Sequence, residues 1–449
     1  MDELSGTSLS LPPYALMPAI ALFAVILFAV LSRTSSRAAQ FVVFATWLRY
    51  ILSAFHTVTF KPSPIGLSWN ALGSIGIFVL GLLVIRRRRL FDAALVPMYL
   101  LAIVVLASGF ANHAVAGMVN TLVKYAYLAV IIMATADAIE DLGEQRFFNR
   151  LLWPFVIPFG LQALSIVLGI AKAGERDGSA SYIGGFSHEA AFSIALATGL
   201  LVVCMTRRFN PLLKLLLVAA CCVGILLANY RTAILAMAPL IGAVVLTGTT
   251  RRFVPQQRAL ITGAMALAVL GAAFAGAWAG RERFADLAVA ASEGEGLIKP
   301  PNDFSETDKD LLSGRAYIWS DYIYGYADSR PIQHIIGLGP DSWVGVFKLY
   351  AHNTLVSSLY ELGIAGVGAI LFLWTWMLIL AIRIREGPRA RIVAAHLSFI
   401  VLNMATMPMW MIEGMIFYGI LCGYTVYCFR RSHGTARAPC PKVQPGESP

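Results

Sequence analysis

HNTLVSSLYELGIAGVGAILFLWTWMLILAI, residues 352–382, decides the fold class. From 353 to 382 the only charge is Glu361. A run of that length and polarity is what a bilayer core requires of one helix, and it exceeds what a soluble core helix needs. His352 stands at the start of this span, where the positive end of the helix dipole disfavours imidazolium. A neutral imidazole is the form that can accept a proton from a hydroxyl. Gly363 and Gly366 follow within the span and would let another helix approach closely. Without further context, His352 reads equally as an interfacial histidine with no chemistry.

The rest of the chain repeats the pattern. Apolar spans are expected at 14–32, 39–60, 66–85, 92–110, 115–136, 151–171, 189–206, 211–229, 232–249, 259–279, 353–382, 392–408 and 412–429. Of the 449 residues, 58% are hydrophobic and 13% charged, about half the charge of a soluble domain. Basic clusters follow alternate spans: Arg33 and Arg37, Arg86 to Arg89, Arg146 and Arg150, Arg207 and Arg208, Arg251 and Arg252, Arg383 to Arg391, Arg430 and Arg431. All can lie on the cytoplasmic side together, as the positive-inside bias demands, so the net charge of +10 reflects topology rather than nucleic-acid binding. The expectation is an all-α polytopic membrane protein with 12 or 13 transmembrane helices. Twelve results if one of the first three segments is re-entrant, and the second of these carries Arg49. The acidic start lacks the basic region of a cleaved signal, so the first apolar run reads as a retained span.

Four regions follow. Residues 1–279 form an N-terminal bundle of about ten spans, 280–351 a large outer loop with interfacial helices, 352–430 the C-terminal helices, and 431–449 a disordered cytoplasmic tail. In SGRAYIWSDYIYGY, residues 313–326, Arg315, Trp319, Tyr322 and Tyr326 recur at helical spacing, which suits an amphipathic helix on the membrane surface. The six cysteines avoid the outer loops and show no CxxC spacing, which argues against disulfides and a cysteine metal site.

Polar residues at the outer surface are the candidates for chemistry. Arg231, in the short turn of ANYRTAIL, and Arg315 could grip phosphate oxygens, or could simply anchor the interface. The loop 172–188 offers Arg176 and His188, and Glu189 begins the next span; these could bind sugar hydroxyls, or be a solvated loop and a helix start. Lys124 and Arg49 fall inside spans, where ionisable groups usually face a cavity or a partner. Glu361 lies nine residues beyond His352, on the opposite helix face, so the two are not paired as base and orienter. Nucleotide phosphate-loop, HExxH and GxSxG motifs are absent from the sequence.

The segments 226–236 and 310–368 carry a resemblance. His352-Asn353, nine residues, Gly363, two residues and Gly366 resemble the histidine motif of the O-antigen ligase and polymerase superfamily. The turn at Arg231 resembles that family's arginine-bearing element. Ser313-Gly314-Arg315 with Trp319, then Gly337-Leu338-Gly339-Pro340, is similar to its long periplasmic loop. Asn353 stands where some ligases carry serine.

The resemblance implies a GT-C-like membrane glycosyltransferase of the bacterial inner membrane, with its site facing the periplasm. It would move a glycan from undecaprenyl diphosphate to an acceptor hydroxyl without metal or cofactor. Arg231 and Arg315 would hold the diphosphate, and His352 would orient or deprotonate the acceptor. Arg176, His188, Glu189, Asn353 and Lys124 are further substrate-binding candidates. The leading expectation is a polymerase joining lipid-linked repeat units into O-antigen or exopolysaccharide; the alternative is a ligase acting on lipid A–core. A chain-length regulator and a flippase are the implied partner proteins. A transporter or flippase role for the chain itself is the reading from another class, but it would favour internal repeats and midplane sites.

Overall fold

The computed structural model describes residues 10–64, 66–173, 180–206, 209–250, 254, 256–257, 260–261, 263–264, 294–305, 309, 314–385 and 387–434. Within them the chain is an all-α polytopic membrane protein, with six helices long and apolar enough to span a bilayer and several shorter apolar ones. The helices used below are α1 (Pro13–Ser32), α2 (Arg37–Ala54), α3 (His56–Thr59), α4 (Trp69–Val84), α5 (Val96–Ala111), α6 (Val115–Leu142), α7 (Glu144–Leu151) and α8 (Val156–Val167). They continue with α9 (Glu189–Met205), α10 (Pro211–Leu227), α11 (Arg231–Thr250), α12 (Arg315–Ala327), α13 (Pro331–Ile336), α14 (Thr354–Ile382), α15 (Arg389–Ala405) and α16 (Ile412–Ser432). Of the expected spans, 259–279 lies outside the described residues but for a few positions, as do most of 280–313 and the tail beyond 434.

Two local expectations are refined. The second span ends early at Ala54, and the turn α3 carries the chain on from Phe55. The loop after α8 contains a short antiparallel pairing, β1 (Lys172–Ala173) with β2 (Ala180–Ser181). The five described cysteines are free thiols.

The last helix is the axis of the bundle. Nearly all of α16 is buried, and its largest interface is with α6. Small residues permit this: a Cβ on Gly423 would lie 2.5 Å from the Ile132 carbonyl oxygen, so the two backbones are in contact. The charge inside the second span has its partner here. Arg49 donates to both carboxylate oxygens of Glu413, at 2.9 and 3.0 Å, and Ser53 donates to the same carboxylate at 2.6 Å. Both ions are buried and mutually satisfied, so Arg49 serves to join α2 to α16.

Among the described residues, two of the arginine clusters meet at one end of the bundle. Arg86, Arg88 and Arg89 pair with Asp137, Glu140 and Asp141 at the end of α6. Arg430 pairs with Asp92, and Arg431 with Glu144. The opposite end gathers the starts of α6, α9, α14 and α16, together with α12 and α13.

Candidate functional site

The site is built around a break in α14. At Gly363 the backbone turns to φ 66° and ψ −164°, so the helix is interrupted one residue past Leu362. The break frees carbonyls of the first segment for outside donors. Leu338 N–H donates to the Tyr360 carbonyl at 2.9 Å, and Gly339 N–H and Ser108 Oγ to that of Glu361, each at 3.0 Å. The Gly337–Pro340 segment is thereby stitched to α14. Next to it, the Glu361 side chain accepts from the Asp341 N–H at 2.7 Å and from Ser357.

His352 sits at the mouth of the first segment in a left-handed conformation, φ 52°. Asn353 is the helix N-cap: its Oδ1 accepts from Leu355 N at 2.9 Å and Val356 N at 3.3 Å. This satisfies donors that a helix start otherwise leaves open. Asn353→Ala is expected to cost about 1 kcal/mol of stability and Asn353→Ser much less, read as melting temperatures of the purified protein.

The helix α12 carries Arg315 and holds the His352 strand in place. Trp319 Nε1 donates to the Ala351 carbonyl at 2.8 Å, and Tyr322 Oη to that of Leu349 at 3.1 Å. Tyr322 stacks on Phe347 at 4.2 Å and meets Tyr360 edge-on. The Tyr322 ring expected at the lipid surface is therefore packed into protein. The fixed geometry brings Arg315 within electrostatic reach of His352. Burial first, then the charges of Arg315 and His188, push the His352 imidazole down to about 3, so it is neutral at ordinary pH.

The turn before α11 joins the same neighbourhood. Asn229 is left-handed at φ 55°, and Leu227 accepts a backbone bond from Tyr182 at 2.8 Å. Tyr230 lies beside Arg315, Glu189 and Thr406. Arg231 opens α11 from this turn; its side chain is outside the described residues, and so is Arg176.

The other candidates divide. His188 caps α9, its Nδ1 accepting from Ala190 N at 3.0 Å. Its Nε2 faces Tyr350 Oη at 3.5 Å and, in the neutral form of the ring, would carry the proton. Glu189 is engaged by Lys172 at 3.1 Å, an ion pair that ties the β1 edge to α9. Lys124 lies within electrostatic reach of Asp341 and Glu361, with its ammonium 4.3 Å from the Trp410 ring centroid. Trp410 stacks on Tyr350 at 5.7 Å and 18°, and Tyr350 meets the His352 ring at 4.0 Å. One column of Lys124, Trp410, Tyr350 and His352 thus runs from α6 to the candidate base. Tyr350, Trp410 and Tyr230 were not singled out from sequence. Aromatic residues in short outer turns look the same whether they line a site or anchor an interface.

The arrangement places a cation within electrostatic reach of an enclosed neutral imidazole, with aromatic faces and hydroxyls around them. Among the described residues no group of three metal-type ligands forms. Residues 215–373 match the family model described as O-antigen ligase, which supports the resemblance to the O-antigen ligase and polymerase superfamily. A search of curated proteins found no match.

Proposed function

We propose, from the premise that residues 215–373 are an O-antigen ligase-type region, that this chain is a membrane glycosyltransferase at the periplasmic face of the bacterial inner membrane. It polymerises undecaprenyl-diphosphate-linked repeat units into O-antigen or exopolysaccharide. The observation that carries the reading is the enclosed neutral His352 held beside Arg315 by α12.

In this mechanism Arg315 and Arg231 receive the donor diphosphate. The acceptor hydroxyl oxygen attacks the anomeric carbon, and the bond from that carbon to the diphosphate oxygen breaks. The electron pair leaves with the diphosphate, where guanidinium charge stabilises it. The hydroxyl proton passes to His352 and then to solvent. No metal is needed to activate a leaving group that already departs as a stable anion. The donor also tunes the base. An anion seated on Arg315 cancels one of the charges that depress His352, so its basicity rises when the donor is bound.

A ligase acting on lipid A–core is the second reading, favoured by the description of the matching family model. Purified protein with lipid-linked repeat units, with and without lipid A–core, separates the two. A ladder of lengthening lipid-linked glycan supports polymerase, and product only on lipid A–core supports ligase. Absence of product with authentic substrates sinks both in favour of transport or scaffolding. Arg315→Lys keeps the charge but loses the planar fork, and turnover is expected to fall about tenfold or more. Wild-type turnover in that variant would remove bidentate phosphate recognition from the mechanism.

A further inference from the structure

The arginine-rich end of the bundle, which the positive-inside bias places in the cytoplasm, holds a second site unrelated to His352. A hollow of about 430 Å³ opens between the ends of α1 and α6 and the helix α7. Arg33, Arg146 and Arg150 line it, with Asn149 and Trp153, and no carboxylate occurs among its described lining residues. Acids of the adjoining turn are engaged elsewhere: Asp141 with Ser36 and Arg86, Glu144 with Arg431. Arg150 donates to the Arg33 carbonyl at 3.2 Å, which holds α7 against the end of α1.

Asn149 and Trp153 are shared with a second, apolar groove of about 690 Å³. That groove runs between α8, α9 and α10, walled by residues such as Phe159, Val203 and Leu217. Three cations thus crown an apolar channel open at the side of the bundle. The short helix α7 sits at their junction, with Phe147, Phe148 and Leu151 buried and Arg146 and Arg150 on its other face.

We propose that hollow and groove together bind one anionic glycerophospholipid of the cytoplasmic leaflet. Its phosphate lies among Arg33, Arg146 and Arg150, and an acyl chain lies along Phe159, Val203 and Leu217. Guanidinium forks match phosphate oxygens in charge and shape. Basic pockets between helices on this side of a membrane suit such headgroups. A zwitterionic lipid brings its own cation into a cluster of three, so the site selects net negative charge. Inorganic phosphate alone would leave the apolar groove without an occupant.

The test uses full-length purified protein and native mass spectrometry with phosphatidylglycerol and phosphatidylcholine supplied at equal concentration. Wild type is expected to retain phosphatidylglycerol selectively. Arg146→Gln with Arg150→Gln should weaken that retention by roughly fivefold for each arginine removed, leaving phosphatidylcholine unchanged. Leu217→Trp, which fills the groove and keeps every arginine, should also lower retention. This second variant separates loss of the site from loss of the fold, since α7 is untouched. Equal retention of the two lipids, or a preference that survives the arginine substitutions, overturns the proposal. So does displacement by inorganic phosphate with no effect of Leu217→Trp, or displacement by undecaprenyl monophosphate at equal concentration.

Discussion

His352→Gln is expected to reduce glycan transfer by about 10²- to 10⁴-fold, the range general-base catalysis contributes, while the protein stays folded. Glutamine keeps a hydrogen-bonding side chain near the same volume but cannot take up a proton. The Asn353 cap and the bonds from Trp319 and Tyr322 do not involve the imidazole, so the surrounding strand should persist. Wild-type turnover in the variant would leave His352 no role as a base.

The pH dependence gives an independent check. In the free protein His352 is held down to about 3, so it stays unprotonated from pH 5 to 8. The kcat/KM profile should then show no acidic limb from this residue in that range. In the proposed mechanism a donor diphosphate seated on Arg315 balances its charge, and the imidazole becomes more basic. The acidic limb of kcat should therefore lie at higher pH than that of kcat/KM, and His352→Gln should abolish the difference. The stability linkage has its own sign. Below the unfolded value of 6.5 the unfolded chain binds a proton that the folded site refuses. This residue therefore lowers stability progressively as pH falls from about 6.5 toward 3, and contributes no pH dependence above that window.

Gly363→Ala should be the most damaging small substitution for the fold, costing about 3 kcal/mol or more from strain and overpacking combined. Its φ of 66° is a region that L side chains rarely adopt. A Cβ there would stand 2.4 Å from the Ile335 carbonyl oxygen and 2.6 Å from Gly337 N. These are backbone atoms, so no rotamer change relieves the clash. The facing position is equally tight: a Cβ on Gly337 would lie 2.2 Å from the Glu361 carbonyl carbon. Moving α13 away would break the bonds from Leu338 and Gly339 to α14 and disturb Asp341. Gly368→Ala in the same helix is the control, because nothing lies within 4 Å of its would-be Cβ. Thermal unfolding in one detergent should show a large drop for Gly363→Ala and little change, or a small gain, for Gly368→Ala. Equal melting temperatures would mean that the break in α14 is not rigidly specified.

Much of the site's outline was legible. Glycine spacing after His352 pointed to a close approach, and Gly363 is where α13 makes it. Gly366 behaves differently: its would-be Cβ meets Leu362 of its own helix, because the break next door distorts the turn. The Gly337–Pro340 stretch was recognisable as a motif, but its purpose was not. That purpose is to supply backbone donors to carbonyls released by a break that periodicity does not reveal. Asn353 illustrates the reverse case. A substrate-binding candidate by its place next to His352, it spends its side-chain oxygen on two backbone amides.

Membrane insertion and the grouping of the basic clusters were properties of the amino-acid order alone. Transfer of a segment into a bilayer depends on its own length and polarity, and the charge bias acts on the short loops beside it. Neither requires knowledge of which helices are neighbours. The partners of the ionisable groups did require it. Arg49 pairs with Glu413, and Lys124 stacks on Trp410, across most of the chain length. A buried charge is defined by the groups that satisfy it, and only packing brings such distant groups together. The same holds for His352, whose neutrality comes from enclosure and from Arg315 and His188, contributed by two other parts of the fold.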